Sequence, residues 1–136
     1  MYSLIETIDF FESSYINIFT DKDIYKNKQR YFDISEKVNF LFDTDNKILA
    51  NADCIMTDVY NSMNDRENKE KKLIKFQVNE LLMNNTKKEC IFMHCLPAKI
   101  GSEVTENVIK GSKSIVIQQA KNRMVTQKGI LKWLDI

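Results

Sequence analysis

Hydrophobic residues along the chain alternate between helical spacing and short continuous apolar runs. Tyr2, Ile5, Ile8 and Phe11 recur three residues apart, which predicts an amphipathic helix that begins almost at the first residue. Short apolar runs predict strands at residues 15–19, 38–42, 54–57, 90–94 and 114–117. Between them, further helices are predicted at residues 23–37, 45–50, 77–83, 103–109 and 119–134. This alternation is typical of βαβ units and predicts an α/β fold with an open parallel sheet flanked by helices.

The run at residues 90–94 is the strongest strand signal, and it leads into the only proline of the chain, Pro97. Continuous rather than alternating hydrophobicity indicates a parallel strand covered on both faces. Its end carries His94, the only histidine, beside Cys95. Ligands of open α/β sheets bind just outside the carboxyl ends of the strands. Because Asp58 and Arg123 also follow predicted strands, we expect them on the same rim of the sheet.

Two polar or aromatic segments receive simpler interpretations. The mixed-charge run at residues 65–72 is predicted to be a solvated loop or helix face. The aromatic residues Phe10, Phe11, Tyr15 and Phe19 are predicted to lie in the core rather than on a surface that stacks nucleic-acid bases.

Composition narrows the function classes. The 136 residues are 43% hydrophobic, enough for one domain with a core, and the net charge of +1 argues against a general polyanion binder. No apolar run is long enough to span a membrane, and the acidic Glu6, Asp9 and Glu12 argue against a secretory signal. Three cysteines in a chain of this kind suggest reduced thiols and a cytoplasmic protein.

No cofactor is predicted. The chain has three glycines, the first at Gly101, so it lacks a Gly-rich phosphate cradle. A metal site built on Cys54, Cys90, Cys95 and His94 is not expected, because no Cys-x-x-Cys pair is present and a strand separates Cys90 from Cys95.

Three motifs together resemble the ornithine carbamoyltransferase family. They are His-Cys-Leu-Pro at 94–97, Asp-Val-Tyr-Asn-Ser-Met at 58–63 and Ala-Lys-Asn-Arg at 120–123. Their order and spacing fit the family, with Gln-Val-Asn at 77–79 and Glu-Val-Thr at 103–105 between them. The resemblance covers essentially the whole chain and is clearest from about residue 52 onward.

The resemblance implies a Rossmann-like domain that transfers the carbamoyl group of carbamoyl phosphate to the side-chain amine of ornithine, giving citrulline and phosphate. Residues 1–136 would be a single partial domain, the amino-acid-binding half. The family's carbamoyl-phosphate domain, with its Ser-Thr-Arg-Thr loop, has no counterpart here. The first, central strand of the sheet is also expected to be missing, which would leave the strands at 15–19 and 54–57 with unpaired edges.

The implied partners follow from this reading. Ornithine and carbamoyl phosphate are the substrates, and a separate carbamoyl-phosphate-binding half could complete the site. Full-length family members are homotrimers. No nucleic acid or membrane partner is expected, and the isolated chain is expected to be inactive.

The resemblance also implies roles for the site residues. An alkyl amine has a pKa of about 10.4 and must lose a proton to attack, so a carboxylate is better placed on the α-ammonium group than beside the nucleophile. The implied substrate contacts are Asp58 and Ser62 with the α-ammonium, the Met63 backbone near the carboxylate, the Leu96 carbonyl with the reacting amine, and His94 in a structural role. Cys95 at the reacting end and Arg123 at carbamoyl phosphate are the expected catalytic residues.

Departures from the family pattern affect loop geometry. Asn64 replaces the usual Gly after Ser-Met, Lys121 replaces an acidic residue, and Val125 stands where many relatives have His. Asn is the next most tolerant residue after Gly for positive φ.

Alternatives remain at this point. A putrescine-type carbamoyltransferase is disfavoured by Ser62-Met63, because a diamine has no α-carboxylate to bind, and aspartate-specific relatives carry Pro in place of Cys95. A non-catalytic amino-acid-binding remnant is the third reading. Taken singly, Cys95 could be a small buried hydrophobe, Asp58 a helix cap and Arg123 a solvated helix residue.

Overall fold

The computed structural model describes residues 2–28, 35–61 and 68–135. Within it the chain forms two compact units, Met1–Ile48 (the N-terminal unit) and Leu49–Ile136 (the C-terminal unit). The units are described separately, because each has its own two-stranded parallel sheet. That residues 1–136 act as one partial domain stays a prediction.

The N-terminal unit begins with helix α1 (Tyr2–Thr7), which tightens into a 3-10 turn at Ile8–Phe10. It continues through β1 (Ile16–Phe19), α2 (Lys22–Lys28) and β2 (Val38–Leu41), and α3 (Asn46–Leu49) follows at the boundary with the next unit. The strands pair in parallel with Ile16 opposite Val38.

Local capping and a small core hold this unit together. Asp21 Oδ1 accepts hydrogen bonds from the backbone N–H of Asp23 (3.0 Å) and Ile24 (3.4 Å), which satisfies donors at the start of α2. The core is formed by buried Ile5 and Ile18, with partly buried apolar side chains packed against them: Ile16, Tyr25, Val38 and Phe40.

The C-terminal unit runs through β3 (Cys54–Thr57), α4 (Glu70–Leu73), a 3-10 turn (Ile74–Phe76), α5 (Glu80–Asn84), β4 (Ile91–His94), α6 (Glu106–Ile109) and α7 (Val116–Trp133). β3 and β4 pair in parallel, so Thr57 lies opposite His94. Isolated bridges join Val78 to Val104 and Phe92 to Ser114.

The core of the C-terminal unit lies on one face of β4. Phe92 and His94 are buried there, whereas the alternate residues Ile91 and Met93 are only partly covered. The buried cluster consists of Val78, Met83, Cys90, Phe92, Val104, Val108 and Val116. Asn79 accepts a 2.9 Å hydrogen bond from the backbone N–H of Leu82 and so caps α5, which carries Met83 into this core.

The predicted α/β class with parallel strands is confirmed, and four of the five predicted strands form with ends shifted by at most one residue. β1 pairs with β2 in the N-terminal unit, and β3 pairs with β4 in the C-terminal unit. That the strands near residues 15 and 54 lack a shared neighbour stays a prediction.

The prediction of a fifth strand at 114–117 is wrong. Only Ser114 bridges β4, and α7 already begins at Val116, so the β-branched run Ile-Val-Ile at 115–117 leads into a helix instead. The helices predicted from residues 77 and 103 start later, at Glu80 and Glu106, because Val78 and Val104 pair with each other in extended conformation. Of the predicted helix 23–37, residues 29–34 lie outside the described residues.

The aromatic prediction is also largely wrong. Phe10, Phe11 and Tyr15 are exposed (84%, 54% and 69%), and only Phe19 is partly covered. The 3-10 turn ends at Phe10, so the helical register that buries Ile5 and Ile8 does not extend to the aromatic residues that follow.

None of the helices in the described part of the chain has both the length and the apolar character required to cross a membrane.

We expect Met83→Ala to lower the free energy of unfolding of the C-terminal unit by about 2–5 kcal/mol, because it removes buried methylenes and leaves a cavity. Urea unfolding followed by circular dichroism measures the change. The matched control is Leu81→Ala on the same helix, where the side chain is 73% exposed against 5% for Met83. The control should stay within about 0.5 kcal/mol of the parent, and equal losses in both variants would contradict the assigned core.

Candidate functional site

The paired ends of β3 and β4 bring the two best sequence candidates together. Because Thr57 lies opposite His94, the next residues, Asp58 and Cys95, emerge at the same edge of the sheet. The Cys95 thiol donates to Asp58 Oδ1 over 3.0 Å. The same carboxylate oxygen accepts a 2.8 Å hydrogen bond from the backbone N–H of Val59, which fixes its orientation.

This environment keeps the thiol protonated. Burial is the main cause, followed by the hydrogen bond to Asp58 and its negative charge, and together they raise the pKa of Cys95 to about 11. A thiolate nucleophile requires the opposite shift. Cys95 therefore offers a neutral, polarisable sulfur beside a carboxylate.

A buried histidine determines the turn after β4. The backbone N–H of Leu96 donates to His94 Nδ1 over 2.9 Å, so this ring nitrogen carries no proton. The proton of the neutral ring then lies on Nε2, which faces Glu103 Oε1 at 3.2 Å. Both side chains are fully buried. The turn also places Leu96 in the left-handed region (φ 51°), where non-glycine residues are uncommon and cluster at functional sites.

Glu103 is a site residue that sequence reasoning missed. Its Oε1 also accepts from the backbone N–H of Lys99, so the carboxylate holds both ends of the segment between Lys99 and His94. The available sequence signal is the Glu-Val-Thr motif at 103–105, whose spacing predicts only the start of a helix. A buried carboxylate needs such partners, since an unpaired one is strongly destabilising.

Helix α7 is attached to the end of β4 by its first turns. The Gln119 side chain accepts a 3.0 Å hydrogen bond from the backbone N–H of His94, and Val116 is buried in the core. Gln119 was not among the predicted site residues; its place just before Ala-Lys-Asn-Arg was the available signal.

Arg123 lies one turn beyond Gln119 and is exposed. It lines an open depression of about 460 Å³ together with Met93, Ile115, Gln119, Asn122, Thr126 and Gln127. Among the described residues, no hydrogen bond or ion pair joins Arg123 to Asp58 or Cys95. The structure thus brings the acid and the thiol into contact, whereas the guanidinium lies exposed on α7, in a depression that Met93 of β4 also lines.

Two predicted site residues, Ser62 and Met63, lie outside the described residues, as does Asn64. The described residues on either side of them contact one another. Asn61 Oδ1 accepts a 2.8 Å hydrogen bond from the backbone N–H of Lys69, and Asn61 Nδ2 donates to Asn68 Oδ1 over 3.1 Å.

Comparison with known proteins gives one family. The family described as "Aspartate/ornithine carbamoyltransferase, Asp/Orn binding domain" matches residues 1–134. The ornithine carbamoyltransferase of Rhodopseudomonas palustris is 50% identical over 84 residues, which is 60% of this chain and 27% of that protein. The ornithine carbamoyltransferase of Wolinella succinogenes is 38% identical over 115 residues, 82% of this chain and 38% of that protein.

The structural comparison agrees. The crystal structure of ornithine carbamoyltransferase from Burkholderia thailandensis superposes with a TM-score of 0.81 at 27% identity, covering 98% of this chain and 42% of that one. The chain therefore spans less than half the length of these relatives.

We expect Asp58→Asn to lower the pKa of Cys95 from about 11, because it removes the negative charge that opposes ionisation. The pKa should stay above the ordinary value, since burial is the larger cause. Alkylation consumes the thiolate, so the rate at Cys95 near pH 9 should rise. Site-resolved mass spectrometry of iodoacetamide-treated protein over pH 7–11 measures it.

The same samples contain the control. The pKa of Cys54 is also raised to about 11, by burial, then by Cys90 and Asp53, and Asp58 is not among its causes. Its pH profile should be unchanged by Asp58→Asn. An unchanged Cys95 profile would show that the thiol does not sense Asp58.

Proposed function

Because the chain belongs to the aspartate/ornithine carbamoyltransferase family, as its Asp/Orn-binding domain, we propose that it supplies the ornithine-binding half of an ornithine carbamoyltransferase. In the complete reaction the side-chain amine of ornithine takes the carbamoyl group of carbamoyl phosphate, giving citrulline and phosphate. The observation that carries the proposal is the 3.0 Å contact between Cys95 and Asp58 at paired strand ends.

The carboxylate of Asp58 is proposed to bind the α-ammonium group of ornithine. One of its oxygens, Oδ1, already accepts from the Cys95 thiol and from the Val59 N–H. The other oxygen, Oδ2, has no partner among the described residues. An ammonium group bound there gains a charge-assisted hydrogen bond. Ser62 is proposed to assist this contact, and the Met63 backbone to approach the substrate carboxylate.

Cys95 is proposed to contact the reacting amine. The amine must be neutral to attack, and a neutral thiol does not stabilise its ammonium form as a carboxylate would. The raised pKa of Cys95 supports this role, because the thiol stays protonated at neutral pH. The Leu96 carbonyl is proposed to orient the amine and the carbamoyl NH2. His94 and Glu103 support it by holding the turn in its left-handed conformation.

Arg123 is proposed to bind the oxygens of carbamoyl phosphate, for which a permanently charged, planar guanidinium is suited. Its attachment to the site is indirect: Gln119 holds the start of α7 against the end of β4. In this proposal the rate derives from positioning the two substrates and stabilising charge, with no covalent intermediate on Cys95.

The complete enzyme requires a carbamoyl-phosphate-binding half, supplied by another polypeptide segment or chain. Homotrimeric assembly and a cytoplasmic location belong to the same proposal.

We expect the chain to bind L-ornithine in isothermal titration calorimetry, and Asp58→Asn to weaken binding by about 10- to 100-fold, since it removes a charge-assisted contact. The control is Asp53→Asn, which also removes one carboxylate from the C-terminal unit but at an exposed position paired with Lys87. Putrescine, which lacks the α-carboxylate, should bind more weakly than ornithine. Equal affinities in the two variants would contradict the role of Asp58, and a preference for putrescine would favour a diamine carbamoyltransferase.

We expect no citrulline from ornithine and carbamoyl phosphate with the chain alone, because Arg123 supplies only part of a carbamoyl-phosphate site. Colorimetric citrulline assays, with a full-length ornithine carbamoyltransferase as positive control, measure it. The preparation must contain no other polypeptide. Citrulline formation by the 136-residue chain purified in this way would refute the expectation.

A further inference from the structure

The segment just before α5 binds the turn that carries Glu103, and the proposed function gives this segment no role. The Gln77 side chain donates from Nε2 to the backbone carbonyls of Gly101 and Ser102, each over 2.9 Å. The backbone N–H of Val78 donates to the carbonyl of Glu103, also over 2.9 Å. Two adjacent residues thus bind three consecutive carbonyl groups of one turn.

The turn needs these donors, because its backbone is buried and sharply bent. Ser102 and Glu103 are buried, and a buried carbonyl without a donor is destabilising. Gly101 has a φ of 87°, a conformation that glycine adopts without a steric penalty. The side chain that binds this turn comes from Gln77, at a position 24 residues earlier in the chain than Gly101. The geometry of the turn therefore depends on a contact between segments that are distant in sequence.

The position of this turn bears directly on the site. The Glu103 carboxylate that extends from it is fully buried, and its Oε1 lies 3.2 Å from Nε2 of His94. At its other nitrogen, Nδ1, the His94 ring accepts the backbone N–H of Leu96 over 2.9 Å. Cys95 lies between these two residues, and its thiol donates to Asp58. A displaced Glu103 backbone would withdraw the carboxylate from the ring that holds the turn of Cys95.

We propose that Gln77 is a positioning residue of the site, which fixes the backbone at residues 101–103 and so keeps the Glu103 carboxylate on the His94 ring. A carboxamide suits this role, because its NH2 group has two protons and can serve both carbonyls. The consequence for ornithine binding rests on the proposed function, whereas the action of Gln77 on Glu103 and His94 does not.

Proton exchange at His94 tests the proposal, because protein with ¹⁵N-labelled histidine gives ring signals from this residue alone. In the parent protein the Nε2 proton is buried against Glu103 and should exchange slowly with water. Gln77→Met keeps the length of the side chain and removes its donor. We expect this variant to exchange the Nε2 proton about tenfold faster, the size expected for the loss of an ordinary hydrogen bond. NMR spectra under native conditions measure the rate.

Control variants separate positioning from a general loss of stability. Gln118→Met removes an exposed carboxamide that donates to Asn122 on α7, and it should leave the exchange rate as in the parent. Met83→Ala destabilises the core of the same unit and leaves the donors of the turn in place. If it accelerates exchange as much as Gln77→Met for the same loss of stability, positioning is rejected. If Gln77→Met does not fold, Gln77→Asn, which withdraws the amide by one methylene, replaces it, and an unchanged rate in that variant rejects the proposal.

A second readout follows the effect to the thiol. In the folded Gln77 variant, the pH midpoint of Cys95 alkylation should fall toward that of Asp58→Asn, while the Cys54 midpoint stays unchanged. A Cys95 profile equal to that of the parent would confine the effect of Gln77 to the buried pair and reject its role at the site. Neither readout involves ornithine, so failure of the proposed function would appear separately, as absent ornithine binding with both effects of Gln77 intact.

Discussion

The buried contact between His94 and Glu103 is the interaction on which the site depends. Neither side chain reaches solvent, so each must find its partner inside the protein. The neutral ring donates to the carboxylate from one nitrogen and accepts the Leu96 N–H at the other. These bonds hold Leu96 in a conformation that a leucine seldom adopts, and Cys95 lies between the two residues they fix.

Parallel pairing supplies the other half of the geometry. With Thr57 opposite His94, any residues that follow the two strands start from neighbouring positions, and here they are an acid and a thiol. The position of Cys95 also determines the protonation state of its thiol. Burial and a nearby carboxylate both favour the neutral thiol, which suits a group that contacts an amine and does not suit a covalent nucleophile.

Helix α7 is held mainly by its beginning. Val116 and Gln119 attach it to the core and to β4, whereas apolar side chains further along, Met124, Leu131 and Trp133, are exposed. Arg123 therefore owes its place to the first turns of the helix. The strand predicted at 114–117 is wrong for the same reason: Ser114 alone bridges β4, and the β-branched run that follows it buries Val116 from the first turn of a helix.

The sequence by itself determined the α/β class, four strands, the family resemblance and the neighbouring positions of Asp58 and Cys95. These depend on local periodicity and on the order of elements, both of which can be read along the chain. Only the tertiary structure decided that Glu103 is a buried partner of His94, that Val78 pairs with Val104 and that Phe10 and Tyr15 are exposed. Each of these depends on which segment, distant in sequence, covers the residue. The sequence around a charged or aromatic residue is the same whether its side chain is covered or exposed, so local patterns do not predict the outcome.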